Sequence, residues 1–138
     1  MKAADQAFVD TGAWVALAVT TDPLHSRAKA AWEDLMRVGP RLVTSVPVVL
    51  ETFTFLDRRG SRVLALRWEA SLATVRRLEL VSFEVSDLPK VRALLANPKF
   101  HRLSFVDATS FVLMKQRAIR RALAFDVHFA VAGFSCIG

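Results

Sequence analysis

Four carboxylates in this chain sit inside its most apolar stretches, and that placement limits what it can fold into more than any other feature. Asp107 stands at the centre of LSFVDATSF (103–111), and Asp10 lies in AFVDTGAW (7–14). Glu51 lies in VPVVLETFTF (46–55) and Asp126 in LAFDVHFAVAGF (123–134). An ionised carboxylate in such surroundings is costly unless it is paired, hydrogen-bonded or bound to a metal. The fold must therefore supply each of these acids with partners.

The order of elements says where they meet. Residues 6–10 read as a short strand ending at Asp10; Thr11-Gly12 form a turn, and 13–19 a short buried helix. Asp22-Pro23 is a helix start, with Asp as N-cap and Pro at the first helical position. Leu24, Ala28, Ala31, Trp32 and Leu35 then recur at helical spacing, so 23–38 reads as an amphipathic helix that Gly39-Pro40 ends. A strand at 42–45 leads through Ser45-Val46-Pro47 into a helix with Glu51 near its first turn. The polar run 57–62 breaks that helix from a second one at 61–77. A third strand follows at 79–83 and a helix at 86–97, with Ser86 as the expected N-cap and Asn97-Pro98 as the stop. After a loop at 99–103, Ser104 opens the helix that carries Asp107. A fourth strand at 121–125 ends at Asp126; a helical turn near 129–132 and an edge strand at 134–137 complete the chain.

Strands alternate with helices throughout, which predicts an α/β protein: a three-layer α/β/α sandwich around a mainly parallel sheet of four to five strands, one domain over 1–138. In such sheets the carboxyl ends of the strands share one edge, where ligands bind. Asp10 and Asp126 follow strand ends. Glu51 and Asp107 belong to helix starts, which face the same edge. Element order alone thus predicts that the four acids converge. For Asp107 a rival role stands beside this one. Ser104-x-x-Asp107 is a variant of the capping box, and a capping carboxylate needs no metal.

The 138 residues carry a formal charge of +6, and 53% of them are hydrophobic. A basic balance favours a polyanionic partner such as nucleic acid, or solubility alone. The basic body and the embedded acids conflict in sign, and a metal site facing a phosphate substrate reconciles them. No apolar run approaches the ~18–20 residues that span a bilayer, which excludes a membrane helix. No signal peptide precedes the first strand, and the single cysteine, Cys136, excludes an internal disulfide. These features fit a cytoplasmic protein.

Oxygen ligands without Cys or His pairs suit hard cations, Mg²⁺ or Mn²⁺, rather than zinc. Such ions bind phosphodiesters and lower the pKa of water. Thr11, Ser104 and Ser110 lie near the acids without an evident His partner, so they read as hydrogen-bond donors beside the site rather than as nucleophiles. Arg58, Arg59 and Arg62, on the hairpin of the third and fourth helices, give a basic edge. It reads as a solvated face or as contact with an RNA backbone. His101, alone in a loop, reads as a surface residue. The chemistry implied is metal-assisted hydrolysis of a phosphodiester. A phosphoaspartate receiver fits less well: Thr-Gly follows Asp10, and no Lys follows the last strand.

FVDT at 8–11, Glu51 in the helix after the second strand, LSFVDA at 103–108, FDVHF at 125–129 and AGF at 132–134 together resemble the PIN domain. The chain is most similar in kind to the small PIN ribonucleases that include the VapC-like toxins of toxin–antitoxin pairs. The resemblance spans essentially the whole chain. It implies a Mg²⁺- or Mn²⁺-dependent endoribonuclease, a homodimer, and a cognate antitoxin that blocks the site. It also implies that Asp10, Asp107 and Asp126 are the metal acids and Glu51 the fourth catalytic acid, acting through water or on the activated water. Two positions depart from the family's habit. Ala124 stands where a Thr is common and Val127 where a basic residue is common. The alternative is a non-catalytic RNA-binding or protein-interaction module on the same fold.

Overall fold

A computed structural model describes residues 5–138. The elements run β1 (Gln6–Val9), α1 (Thr11–Ala18), α2 (His25–Val38), β2 (Arg41–Ser45), α3 (Val46–Arg59), α4 (Arg62–Ser71), β3 (Leu78–Val81), α5 (Leu88–Ala96), α6 (Phe105–Gln116), β4 (Arg121–Leu123), α7 (Val127–Val131) and β5 (Ser135–Ile137). The five strands form one sheet in the order β3-β2-β1-β4-β5, and every pairing is parallel. Phe8 of β1 pairs with Val43 on one side and Ala122 on the other, so β1 is the central strand.

Ala7, Phe8 and Val9 are all fully buried although successive side chains point to opposite faces. Both faces of the sheet are therefore covered by helices, as a parallel sheet requires. Two aromatic clusters anchor the covering layers. Trp14 of α1 packs against Trp32 of α2 and Trp68 of α4, at centroid distances of 5.4 and 5.9 Å. Phe111 of α6 meets Phe129 of α7 edge to face, at 4.9 Å and 89°.

The α/β architecture and the alternation of strands and helices follow the sequence reading; several element boundaries do not. The first turn expected at Thr11-Gly12 is already helix: Ala13 and Trp14 donate to the Asp10 carbonyl. Asp22 caps no helix. Its Oδ1 accepts from the Leu24 amide in a local turn, and α2 begins only at His25. The fourth helix stops at Ser71 rather than Arg77. Ser71 Oγ donates to the Trp68 carbonyl and Thr74 Oγ1 to the Ser71 carbonyl, each at 2.6 Å, and such back-bonding competes with the helical ladder. Ser86 is not the cap before α5; Glu84 and Asp87 form a reciprocal capping box around a 3₁₀ turn instead. The last central strand ends at Leu123, so extended residues 124–126 carry the chain on to Asp126. Gly39 ends α2 with φ +86°, where a Cβ would also strike the Arg77 guanidinium at 2.8 Å.

Candidate active site

Each acid arrives at the sheet's carboxyl edge by a different local device. Asp10 directly follows β1, and its amide donates to the Leu123 carbonyl of β4 at 3.1 Å. It occupies the N-cap position of α1 in extended geometry, yet its side chain makes no cap bond. The carboxylate is left for other work. A relay fixes the backbone beside it: Trp14 Nε1 donates to Thr44 Oγ1 at 3.1 Å, and Thr44 Oγ1 donates to the Val9 carbonyl at 2.8 Å.

Glu51 lies in the second turn of α3, half-buried, one turn later than the sequence suggested. The helix start is set by Ser45 Oγ, which accepts from the Val48 amide at 3.2 Å. In α6, Ser104 Oγ accepts from the Asp107 amide at 3.0 Å. Among the described residues no bond returns from the Ser104 amide to the Asp107 carboxylate, so the capping box is only half made. Capping therefore fixes the position of Asp107 without consuming its carboxylate.

Asp126 caps α7: its Oδ1 accepts from the His128 amide at 2.8 Å and contacts His128 Nδ1 at 2.7 Å. The other ring nitrogen, Nε2, lies 2.7 Å from the His101 carbonyl. The edge-to-face pair of Phe111 and Phe129 lies one turn beyond Asp107 and three residues beyond Asp126, and so locks those two helix starts together.

Asp10, Glu51, Asp107 and Asp126 line one cavity of about 270 Å³, together with Thr11, Gly12, Arg102 and Ser104. The structure thus brings all four sequence-selected acids to one place, with Thr11 and Ser104 beside them. Ser110 is different: it is buried and donates to the Val106 carbonyl within α6. Arg58 and Arg59 line an adjoining apolar groove with Leu50, Glu51, Phe55 and Phe105. Arg62 is committed to Asp57 through two contacts of 2.6 and 2.9 Å. At the two positions that depart from the family, Ala124 is buried and Val127 exposed.

The electrostatics follow from burial and crowding. Asp10 is only 4% exposed and Asp107 only 6%. Burial, then the nearby charge of Asp107, holds the Asp10 carboxyl well above the ordinary range. Burial, then Asp126 and Glu51, pushes Asp107 up to about 7. The His128 imidazole is raised by its bond to the His101 carbonyl and by Asp126.

Asp10 Oδ1 and Thr11 Oγ1 are buried polar atoms without a hydrogen-bond partner among the described residues. A buried carboxylate oxygen in that state calls for a cation. Ligand atoms of Asp107, Asp126 and His128 lie within 4.8 Å of one another. Both His128 nitrogens are already engaged, so the donors free for a metal are carboxylate oxygens. That set fits a hard divalent cation.

Sequence reasoning missed His128, Arg102, Thr44 and Trp14. The spacing of His128 two residues after Asp126, at a helix start, was a usable signal. Thr44 and Trp14 act through tertiary contacts, and Arg102 lines a cavity assembled from distant segments, none of which a local pattern encodes.

The family model of the PIN domain matches residues 7–135. The chain is 38% identical over 128 residues to the 23S rRNA-specific endonuclease VapC20 of Mycobacterium tuberculosis strain H37Rv, covering 92% of this chain and 94% of the relative. The same figures hold for the protein of strain CDC 1551 / Oshkosh. The crystal structure of M. tuberculosis VapC20, described as a sarcin–ricin loop cleaving toxin, superposes with a TM-score of 0.77 at 32% identity. That superposition covers 92% of this chain and 95% of the solved one. Parallel sheet, converging acids and a family match from β1 to β5 agree, and the chain belongs to the PIN-domain family.

Proposed function

We propose that this protein is a metal-dependent endoribonuclease and the toxin of a toxin–antitoxin pair. The observation that carries the reading is the cavity itself. Four acids from four separate segments meet there, with Asp10 Oδ1 buried and unpartnered among the described residues. The relationship to VapC20 supports the substrate class, and a sarcin–ricin loop oligonucleotide is the first RNA to test.

In this reading Asp10, Asp107 and Asp126 hold Mg²⁺ or Mn²⁺. Bound there, the cation would supply neutralisation of phosphate charge and a more acidic water. Glu51, half-buried at the rim, takes the proton from the attacking water. Water forms a new bond to phosphorus as the bond to the leaving ribose oxygen breaks, and that oxygen takes up a proton. Ser104 holds Asp107 in place by accepting its amide hydrogen, and the Thr11 hydroxyl, without a partner among the described residues, is free to hydrogen-bond a water or phosphate oxygen at the site. Arg58 and Arg59 contribute phosphate-backbone affinity along the groove beside Glu51. A homodimer and an antitoxin that blocks the acids belong to the same reading.

The test is cleavage of labelled RNA by purified protein. We expect cleavage with Mg²⁺ or Mn²⁺, none with chelator, and a loss of about 1,000-fold or more in Asp10→Asn and Asp107→Asn while the fold remains. RNA binding with no cleavage under any metal would instead favour a non-catalytic module. Full cleavage by both variants would overturn the assignment of these acids.

A further inference from the structure

Among the described residues, Arg102 is the one cation lining the cavity that holds the four acids. It stands beside them unpaired: among the described residues it makes no ion pair with any carboxylate. A structural counter-ion would be paired. A cation kept free at the mouth of an acidic cavity is available to an incoming anion instead.

Its backbone supports the same view. Arg102 has φ +60°, the left-handed region that side chains rarely adopt. The Leu103 amide reaches back to the Phe100 carbonyl at 3.4 Å, so Arg102 is the third residue of a tight turn. Gly or Asn is the usual choice for a left-handed residue there. Two other described non-glycine residues share positive φ, and each has an ordinary reason. Ala118 closes α6: the Ile119 amide bonds to the Met114 carbonyl and the Ala118 amide to the Lys115 carbonyl, the double closure of a left-handed helix end. Arg77 gives its carbonyl to the Leu42 amide of β2. Arg102 sits in a turn that Gly or Asn would make with less strain, and strain retained where a smaller residue would serve is a mark of functional sites. The turn is also tied to the acids. His128 holds Asp126 Oδ1 with one nitrogen and the carbonyl of His101, next to Arg102, with the other.

We propose that Arg102 is a catalytic residue of this site, its guanidinium binding the non-bridging oxygens of the phosphodiester held over the acids. This rests on the nuclease reading above. A guanidinium offers a planar fork that matches two phosphate oxygens, which a left-handed Gly cannot supply. Charge that builds on those oxygens in the transition state is stabilised by a donor already in place.

Arg102→Gly separates the turn from the charge, because Gly adopts φ +60° without strain. Its Tm is expected to be no lower than that of the unmodified protein. Its kcat on RNA is expected to fall by about 100-fold or more, with a smaller change in KM. Arg102→Lys keeps the charge without the fork and should lie between the two; Arg102→Gln should be as poor as Arg102→Gly. A second arm needs no cleavage. RNA binding by Asp10→Asn, with and without Arg102→Gly, is followed by fluorescence anisotropy against salt. The log–log slope is expected to shrink by about one phosphate contact. The proposal falls if Arg102→Gly keeps kcat within about twofold of the unmodified protein, if Arg102→Lys and Arg102→Gln are equally active, or if the slope is unchanged. An unmodified protein that cleaves no RNA removes the nuclease reading alone; the binding arm then decides on Arg102.

Discussion

Asp107 concentrates the account at the scale of a residue. Its carboxyl, pushed up to about 7 by burial and then by Asp126 and Glu51, binds a proton more tightly in the folded protein than in the unfolded chain. The stability this confers is fully present below about pH 4 and is lost as pH rises through about 7. The shifts of Asp10 and His128 have the same sign. Those of Asp57 and Asp87 are opposite, and act only as pH falls below the ordinary carboxylate range. The metal-free protein should therefore melt at a lower temperature at about pH 8 than at about pH 5, and Mn²⁺ should raise Tm more at the higher pH. Asp107→Asn, which removes the buried charge, should raise the Tm of the metal-free protein at about pH 8 by the equivalent of roughly 1–3 kcal/mol. A Tm that is flat across this range in scanning calorimetry would contradict the described burial. Asp107 was legible in sequence as a misplaced charge. Arg102 was not, because its meaning lies in a backbone angle and in a cavity assembled from distant segments.

Among the elements, helix starts do the positioning. Ser45 before α3 and Ser104 before α6 each accept an amide from the first turn, and both were legible as Ser followed by an apolar run. Three of the boundaries that sequence misplaced share a cause: a side chain bonds to nearby backbone and ends or delays a helix. Asp22, Ser71 and Asp87 do this, and the same residue types also serve as caps, so the pattern has two outcomes. The contact between α6 and α7 sets Asp107 against Asp126. Phe129→Leu loses the edge-to-face pair with Phe111 and should cost roughly 1–2 kcal/mol in urea unfolding. Cleavage per folded molecule should fall with it. Leu35→Val on α2, remote from the acids, should cost a similar roughly 0.5–1.5 kcal/mol and leave cleavage per folded molecule unchanged. Equal activity of the two folded variants would show that the α6–α7 lock is not what places the acids.

For the molecule as a whole, alternation of strand and helix made the parallel sheet and its ligand-binding edge readable, since parallel strands need crossovers and crossovers place every strand end on one side. The all-parallel order, with β1 at the centre, depends on pairings between segments far apart in the chain and had no local signal. In the proposed reading the net charge of +6 and the acid-lined cavity are complementary: the basic body would attract a polyanion, and the acidic centre would hold a cation. Among the described residues no helix is long and apolar enough to cross a membrane.

The central claim is that the four acids are a metal site, and titration of Mn²⁺ followed by electron paramagnetic resonance tests it most directly. Binding should be saturable at about pH 8 and weaker by about tenfold or more at about pH 5.5, as the carboxyls take up protons. It should be lost in Asp10→Asn and in Asp107→Asn. Mn²⁺ binding of equal strength in both variants, or unchanged between the two pH values, would contradict it.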